Sequence, residues 1–518
     1  MKGKWAVAIC MVLSIVLVPS AMAGASQTFI VRPTGVDDTA NLQAAFDAAV
    51  AAGPGSVVEL AEGHFYLSEP VVVNDFSGTF RGQGSSRSVI HLRPNTLFGL
   101  LHEPPPGVVE SPMMFFMVYH QDGAALRWES MGFDLVGKTE PWHHPFIPDP
   151  YWMDFLWPIW VEGVNGIRDV DTVWWDLRIK GDEGPSYVMG GNAASVIRRY
   201  LAGTHRVTNC HFDTMDYGLI SLFHDGAKIT VGGPRPEDRV TFRNVNYGVV
   251  TIFDVNSEIQ ILNARAWREE GTAIFAPAHA FLWAGSADGL KVHMSGVETD
   301  NMSGALVQSG GFGCGTAPST YLLEHNTIAQ KPGGSFAGFE IWETCPAKSQ
   351  FVIRNNRIHG EGSFLWGPIF AVGARDAVIT NNTFTGSGPA AMYLGLASQA
   401  GAQDAGLTSN LLVKGNNVQG WKVDSAPCGS VCQGLPLAPI WLGKETSGIV
   451  VMGSGNLHTN VFDETDNPDT PKYDGANILV GVNARGAHMG QAIRDAMQQR
   501  IAVKKAPLSQ RGSTFPVP

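Results

Sequence analysis

The stretches YLLEHNTI (321–328), FVIRNNRI (351–358) and AVITNNTF (377–384) decide the fold. Each spells apolar-x-apolar-x-x-Asn-x-apolar: a short alternating strand, a polar turn holding Asn, and the start of a second strand. The pattern returns in VTNCHF (207–212), VTFRNV (240–245), IQILNA (259–264), LLVKGNNV (411–418) and VMGSGNL (451–457). It places Asn209, Asn244, Asn263, Asn326, Asn356, Asn382, Asn417 and Asn456 at equivalent points, with Gly296 standing for Asn in KVHMSGV (291–297). The intervals run from 19 to 39 residues by subtraction of those numbers, which suits a solenoid coil with loops of variable length. The prediction is an all-β, parallel β-helix, whose function sits on its surface.

Composition agrees. In 518 residues, 44% hydrophobic content can fill a large core, and 60 Gly with 31 Pro imply many turns. Residues 1–23 carry Lys2 and Lys4, an apolar run from Ala6 to Val18, and then Ala21-Met22-Ala23. That is the order of a secretory signal peptide, so a secreted or periplasmic location is expected. No later stretch is long and apolar enough for a membrane anchor. Export permits disulfides: Cys428 with Cys432 and Cys314 with Cys345 are the candidate pairs, leaving Cys210 as a buried thiol. The net charge of -11 argues against a nucleic-acid partner.

Residues 37–52, DDTANLQAAFDAAVAA, predict a helix with Leu42, Phe46 and Ala49 or Val50 on one face, stopped by Gly53-Pro54-Gly55. A solenoid end exposes open strand edges and its core, so this helix is expected to cap it. The β-helix domain is taken as 24–485, with a C-terminal helix and tail over 486–518. Residues 139–160, rich in Trp and Pro, read as a long ordered loop covering the solenoid side, a subunit contact or a ligand wall.

The Asp-Asp-Thr-x-x-Leu-Gln-x-Ala-Phe helix (37–46), the Gly-x-Val-x-Leu strand after it and the Asn-marked coils together resemble the pectin-lyase-like superfamily of right-handed parallel β-helix proteins, over roughly residues 29–480. The resemblance implies a right-handed helix, export and action on glycans, with a substrate groove along the strand that follows the Asn-turn strand. It names no substrate. A polygalacturonase-like motif set is missing: Arg178-Ile179-Lys180 comes too early, and Thr299-Asp300 follows Glu298 where Asn would stand.

Alternation on the implied groove strand places Ile220, Val250, Ile274, Leu306, Phe339, Ile369, Met392 and Ile440 inward. Ser221, Thr251, Phe275, Val307, Glu340, Phe370, Tyr393 and Trp441 then point outward, with Phe223, Phe253, Trp342 and Val372 two residues on. Flat aromatic surfaces suit sugar rings, so Phe253, Phe275, Trp342, Phe370, Tyr393 and Trp441, with Arg268, are the expected substrate-binding residues. Asp216, Asn246, Glu270 and Asp300 edge this face, and Glu270, Asp300 and Glu340 from three successive coils form the candidate acid/base set. Carboxylates on neighbouring coils about 5 Å apart, or two coils apart at about 10 Å, bracket the retaining and inverting glycosidase geometries. His224, Asp225 and Asp254 form a second cluster. The expected activity is cleavage of a polysaccharide or oligosaccharide, as glycoside hydrolase or polysaccharide lyase; Ca2+ enters only on the lyase route, to neutralise a uronate. The alternative is a glycan-binding or surface-interaction β-helix without catalysis, with homo-oligomer contacts through the aromatic face.

Overall fold

The computed structural model describes residues 26–93, 113–135, 156–181, 194–269, 280–285, 288–302, 304–309, 317–330, 338–342, 349–361, 367–395, 408–426, 437–443, 446–454, 460–464 and 477–480. The expected signal peptide and C-terminal helix, Asn456 and every cysteine but Cys210 lie outside these residues.

Three ladders of parallel strands run along the chain. Sheet I begins with Thr28–Val31, Ser56–Leu60 and Gly78–Arg81 and ends with Ile478–Val480; sheet II runs from Gly63–Leu67 to Asn417–Val423; sheet III runs from Val71–Asn74 to Val461–Asp463. Each coil visits I, II and III in turn, and each strand pairs in parallel with its counterpart one coil later. The fold is a right-handed parallel β-helix. The register stacks like on like. One inward column of sheet I reads Val58, Phe80, Trp128, Trp174, Val207, Val231, Ile261, Met294, Leu323, Ile353, Ile379, Val413 and Val451, all buried. Each large apolar side chain so buried contributes roughly 1.5–3 kcal/mol, which is why period-2 alternation repeated coil after coil suffices to specify the solenoid.

Helix α1, Thr39–Ala52, closes the N-terminal end as expected. Leu42, Phe46 and Ala49 are buried, and Phe46 meets Phe76 at 5.2 Å and Phe80 at 5.0 Å, edge to face. Gly53, at φ 95°, ends the helix where few other residues fit. Asp38 ties the cap to the first coil: its carboxylate accepts the backbone N–H of Thr34 (2.7 Å) and of Tyr66 (3.0 Å).

The turn between sheets I and II has two positions with different jobs. The first is left-handed: Ser130, Asp176, Asn209, Asn263, Gly296, His325, Asn355, Asn381, Gly415 and Gly453 all have φ between 51° and 68°. The residue after it points into the core. There Asn326, Asn356, Asn382 and Asn416 form a buried ladder in which the backbone N–H and Nδ2 of each Asn both donate to Oδ1 of the next, at 2.9–3.0 Å, while Nδ2 also reaches a strand carbonyl. The eight Asn are therefore not equivalent. Asn326, Asn356 and Asn382 share the ladder; Asn416 takes the place expected of Asn417; Asn209 and Asn263 are the left-handed residues; Asn244, also left-handed, lies at the sheet II to sheet III corner. Asn serves both jobs, tolerating αL and pairing its amide, so one letter hid two positions. In earlier coils the inward position is apolar, and by register it holds Cys210, whose fully buried thiol is pushed up to about 12 by desolvation and is inert.

The expected loop over 139–160 ends in a strand, Leu156–Gly163, which pairs with Met113–Tyr119 and Ala194–Arg199. Pro158 is tolerated because the register slips beside it.

The two turn positions respond oppositely to substitution. Asn356→Ala leaves the donors of Asn326 without their acceptor, for an expected loss of about 2–4 kcal/mol, whereas Asn355→Gly is expected to be near neutral because glycine accepts the same φ. Thermal unfolding of the two variants side by side checks this; equal losses would contradict the assignment.

Candidate functional site

The outer face of sheet III is the candidate site. Its central row follows the register from Phe116 and Trp160 through Ile220, Val250, Trp283, Gln308, Glu340, Phe370, Tyr393 and Trp441 to Phe462. Glu340, Phe370, Tyr393 and Trp441 stand where alternation places them. Ser221, Thr251 and Val307 do not: they face inward, and Ile220 and Val250 take their places in the outer row. In LISLF and VVTIF apolar residues fall on both faces, so period-2 pattern alone cannot choose the side. What decides it is Asp254, fully buried, whose carboxylate accepts Ser221 Oγ (2.5 Å), Thr251 Oγ1 (2.7 Å) and the His224 backbone N–H (2.9 Å) from inside the solenoid. His224 is buried there with Asp254, while Asp225 is exposed and accepts Asn256 Nδ2, so the second cluster is split between core and surface.

Glu340 is the one carboxyl in the central row among the described residues. Its column neighbours are Gln308 and Phe370. Burial pushes its carboxyl up to about 7, opposed by a hydrogen bond from Gln308, so the group holds its proton close to neutral pH. Beyond it Phe370, Tyr393 and Trp441 are 0%, 0% and 2% exposed, a covered aromatic row and not the open platform expected. Phe370 stacks on Tyr393 (5.7 Å, 13° between planes), and Tyr393 meets Trp441 edge to face at 4.9 Å. The Trp441 indole N–H is buried with no hydrogen-bond acceptor among the described residues.

The rest of the expected set is dispersed. Asp300 is exposed on the outer face of sheet II, in the column of Asp213, Arg243 and Trp267, so it does not share Glu340's row. Arg268 is 4% exposed at the sheet II to sheet III corner, donating from Nη2 to Asn246 Oδ1 (2.5 Å). Glu270, Phe275 and the side chain of Trp342 lie outside the described residues. Among the described residues of that coil the sheet III strand is Ala280–Gly285, and Trp283 is its residue in the outer row. Phe253 sits at the sheet III to sheet I corner, 38% exposed. Among the described residues no three His, Cys, Asp or Glu side chains gather as a metal site.

One carboxyl escaped the sequence reading because its strand was taken for loop. Glu162, 4% exposed on the outer face of sheet III, accepts Trp160 Nε1–H (2.8 Å), and Arg199 Nη1 lies 3.9 Å away. Burial raises its pKa against the pull of Trp160 and Arg199. The alternation in IWVEG was the available signal. Six coil steps separate Glu162 from Glu340, about 29 Å at 4.8 Å per step, far beyond the spacing at which two carboxyls act on one bond.

Neither a family model nor a curated protein matches this chain. Solved structures do align along it. A mutant DFA-IIIase from Arthrobacter chlorophenolicus A6, in complex with DFA-III, is 12% identical with a TM-score of 0.39, covering 90% of this chain and 98% of its own. The Agl-KA catalytic domain is 12% identical with a TM-score of 0.38, over 90% and 70% of the two chains. The A-module of the Azotobacter vinelandii mannuronan C-5 epimerase AlgE6 is 16% identical with a TM-score of 0.32, over 81% and 96%. The fold assignment rests on the strand ladders described above.

Trp441→Phe keeps the ring and removes the unpaired N–H. Thermal unfolding is expected to show unchanged or slightly higher stability, by up to about 1 kcal/mol; a loss of more than about 2 kcal/mol would mean that the N–H is already bonded.

Proposed function

We propose that the protein is an exported carbohydrate-active enzyme that binds a polysaccharide or oligosaccharide along the outer face of sheet III and cleaves it, with Glu340 as the general acid. What carries this reading is the placement of Glu340 between Gln308 and Phe370, where burial pushes its carboxyl up to about 7, towards the protonated state in which an acid can protonate a leaving glycosidic oxygen. In hydrolysis Glu340 gives its proton to that oxygen as the C–O bond breaks. A second carboxylate, for which Glu270 is the candidate, takes a proton from the attacking water or attacks the anomeric carbon itself. The scarcity of Lys and Arg in the outer row favours hydrolysis of a neutral glycan over elimination at a uronate. The direct test is incubation with neutral and uronic polysaccharides, reading reducing ends and the ultraviolet absorbance of unsaturated products. Reducing ends without absorbance, abolished in Glu340→Gln, support the reading; both signals together indicate a lyase and contradict Glu340 as a glycosidase acid.

The covered aromatic row and the separation of Asp300 from Glu340 favour a second reading, a glycan-binding β-helix without catalysis. Retention on a glycan gel with no product formed would establish it.

Activity as an acid requires protonated Glu340, so the rate is expected to fall as pH rises through about 7. Stability has the same sign: the folded value lies above the ordinary 4.5, so the contribution is fully present below about 4.5 and is lost as pH rises through about 7. Glu340→Gln is expected to unfold at higher temperature than the wild type above pH 7, by the equivalent of up to about 3 kcal/mol, and to match it near pH 4.5. Parallel calorimetric scans across pH check this, and equal pH dependence in both proteins would contradict it.

A further inference from the structure

Three consecutive coils place bulky aromatic residues in the left-handed backbone region at one corner. Tyr200 has φ 53°, Phe223 φ 56° and Phe253 φ 58°, each directly following a sheet III strand. The same corner position is filled by Asp75 (φ 51°) in an early coil and by Gly373 (φ 67°) in a later one, residues that adopt this conformation readily. The turn therefore does not need a ring, and an aromatic side chain there is conformationally unfavourable. The three rings stack as plates, Tyr200 on Phe223 at 5.2 Å and Phe223 on Phe253 at 5.1 Å, with 21° and 13° between planes. Arg199, which faces the buried Glu162 at 3.9 Å, packs against the first two plates, 4.6 Å from the Tyr200 ring and 5.5 Å from the Phe223 ring. Immediately behind the rings, Asp254 holds the His224 backbone and the Ser221 and Thr251 hydroxyls, so the strained corner is anchored from inside. At the other end Phe253 is 38% exposed, and among the described residues no ring covers it.

We propose that the Tyr200–Phe223–Phe253 stack is a preorganised sugar-binding platform, on which a neutral sugar ring of the glycan lays its C–H face against Phe253 as the next plate. This deepens the glycan reading above and rests on it. The spacing of the stack is close to the coil repeat, so a ring bound there sits one coil step towards Glu340, and Phe253 lies three coil steps from Glu340, roughly 14 Å along the solenoid axis. The platform thus holds the chain at a distance from the bond that is cleaved, and it is a binding element without a part in the chemistry. Strain maintained at successive positions where glycine would serve is what a surface kept for a ligand looks like.

Affinity electrophoresis of the full chain in gels cast with dextran, a neutral glucan, or alginate, a uronan, tests this. The variants are Phe253→Gly, which removes the ring while suiting the left-handed backbone, and Phe253→Tyr, which keeps a plate. Retention of the wild type in dextran, weakened about tenfold in Phe253→Gly and kept in Phe253→Tyr, with thermal midpoints matched, is the expected result. Dextran retention undiminished in Phe253→Gly overturns the platform and leaves the glycan reading standing. Retention in alginate alone overturns the neutral-sugar assignment. No retention of the wild type in either gel overturns the platform together with the glycan reading on which it rests.

Discussion

Everything in this molecule depends on vertical register. Parallel strands from successive coils stack about 4.8 Å apart, so whatever a residue does in one coil is repeated or opposed by its counterpart directly above. Inward columns such as Trp128 on Trp174, or Tyr321 on Phe351 at 4.6 Å, convert that repetition into core packing. The same rule turns polar interior positions into chains of hydrogen bonds. The Asn326 to Asn416 ladder satisfies its amides almost entirely with one another and with strand carbonyls, so the buried turns of the C-terminal half carry polar groups without leaving them unpaired.

Register also shapes the outer surface. Because a column extends over many coils, a departure from the apolar rule in the sheet III row sets Glu340 between Gln308 and Phe370, where burial pushes its carboxyl up to about 7. Burial raises Glu162 in that face as well, there against the pull of Trp160 and Arg199. Charges on sheet II show the ordinary case, where Arg243 bridges Asp213 and the exposed Glu269 at the surface. One lattice of equivalent positions thus presents a carboxyl raised by burial, a buried carboxyl facing a guanidinium and a surface ion-pair network.

Much of this was legible in the sequence. The solenoid, the capping helix with its Leu42, Phe46 and Ala49 face, the buried Cys210 thiol and the outward placement of Glu340, Phe370, Tyr393 and Trp441 all follow from alternation and turn chemistry. The failures have physical causes. Ser221 and Thr251 were turned the wrong way because runs apolar on both faces carry no phase, and their true side is set by Asp254, about thirty residues away in sequence from Ser221. Asn416 and Asn417 were confused because a one-residue shift in a turn leaves the letter unchanged. The strand Leu156–Gly163 was masked by Pro158, which only the slipped register beside it permits. Asp300 was assigned to the groove by counting residues, whereas the corner between sheets II and III turns it onto another face.

The central claim is that Glu340 keeps its proton well above the ordinary carboxyl range, up to about pH 7. The most direct measurement is an isotope-edited infrared titration of the carboxyl band of the folded protein from about pH 4 to about pH 9, with Glu340→Gln as the difference reference. A protonated carboxyl band that persists to about pH 7 and is missing from the variant is the predicted result. A Glu340 carboxyl already ionised near its ordinary value of 4.5 would contradict the account.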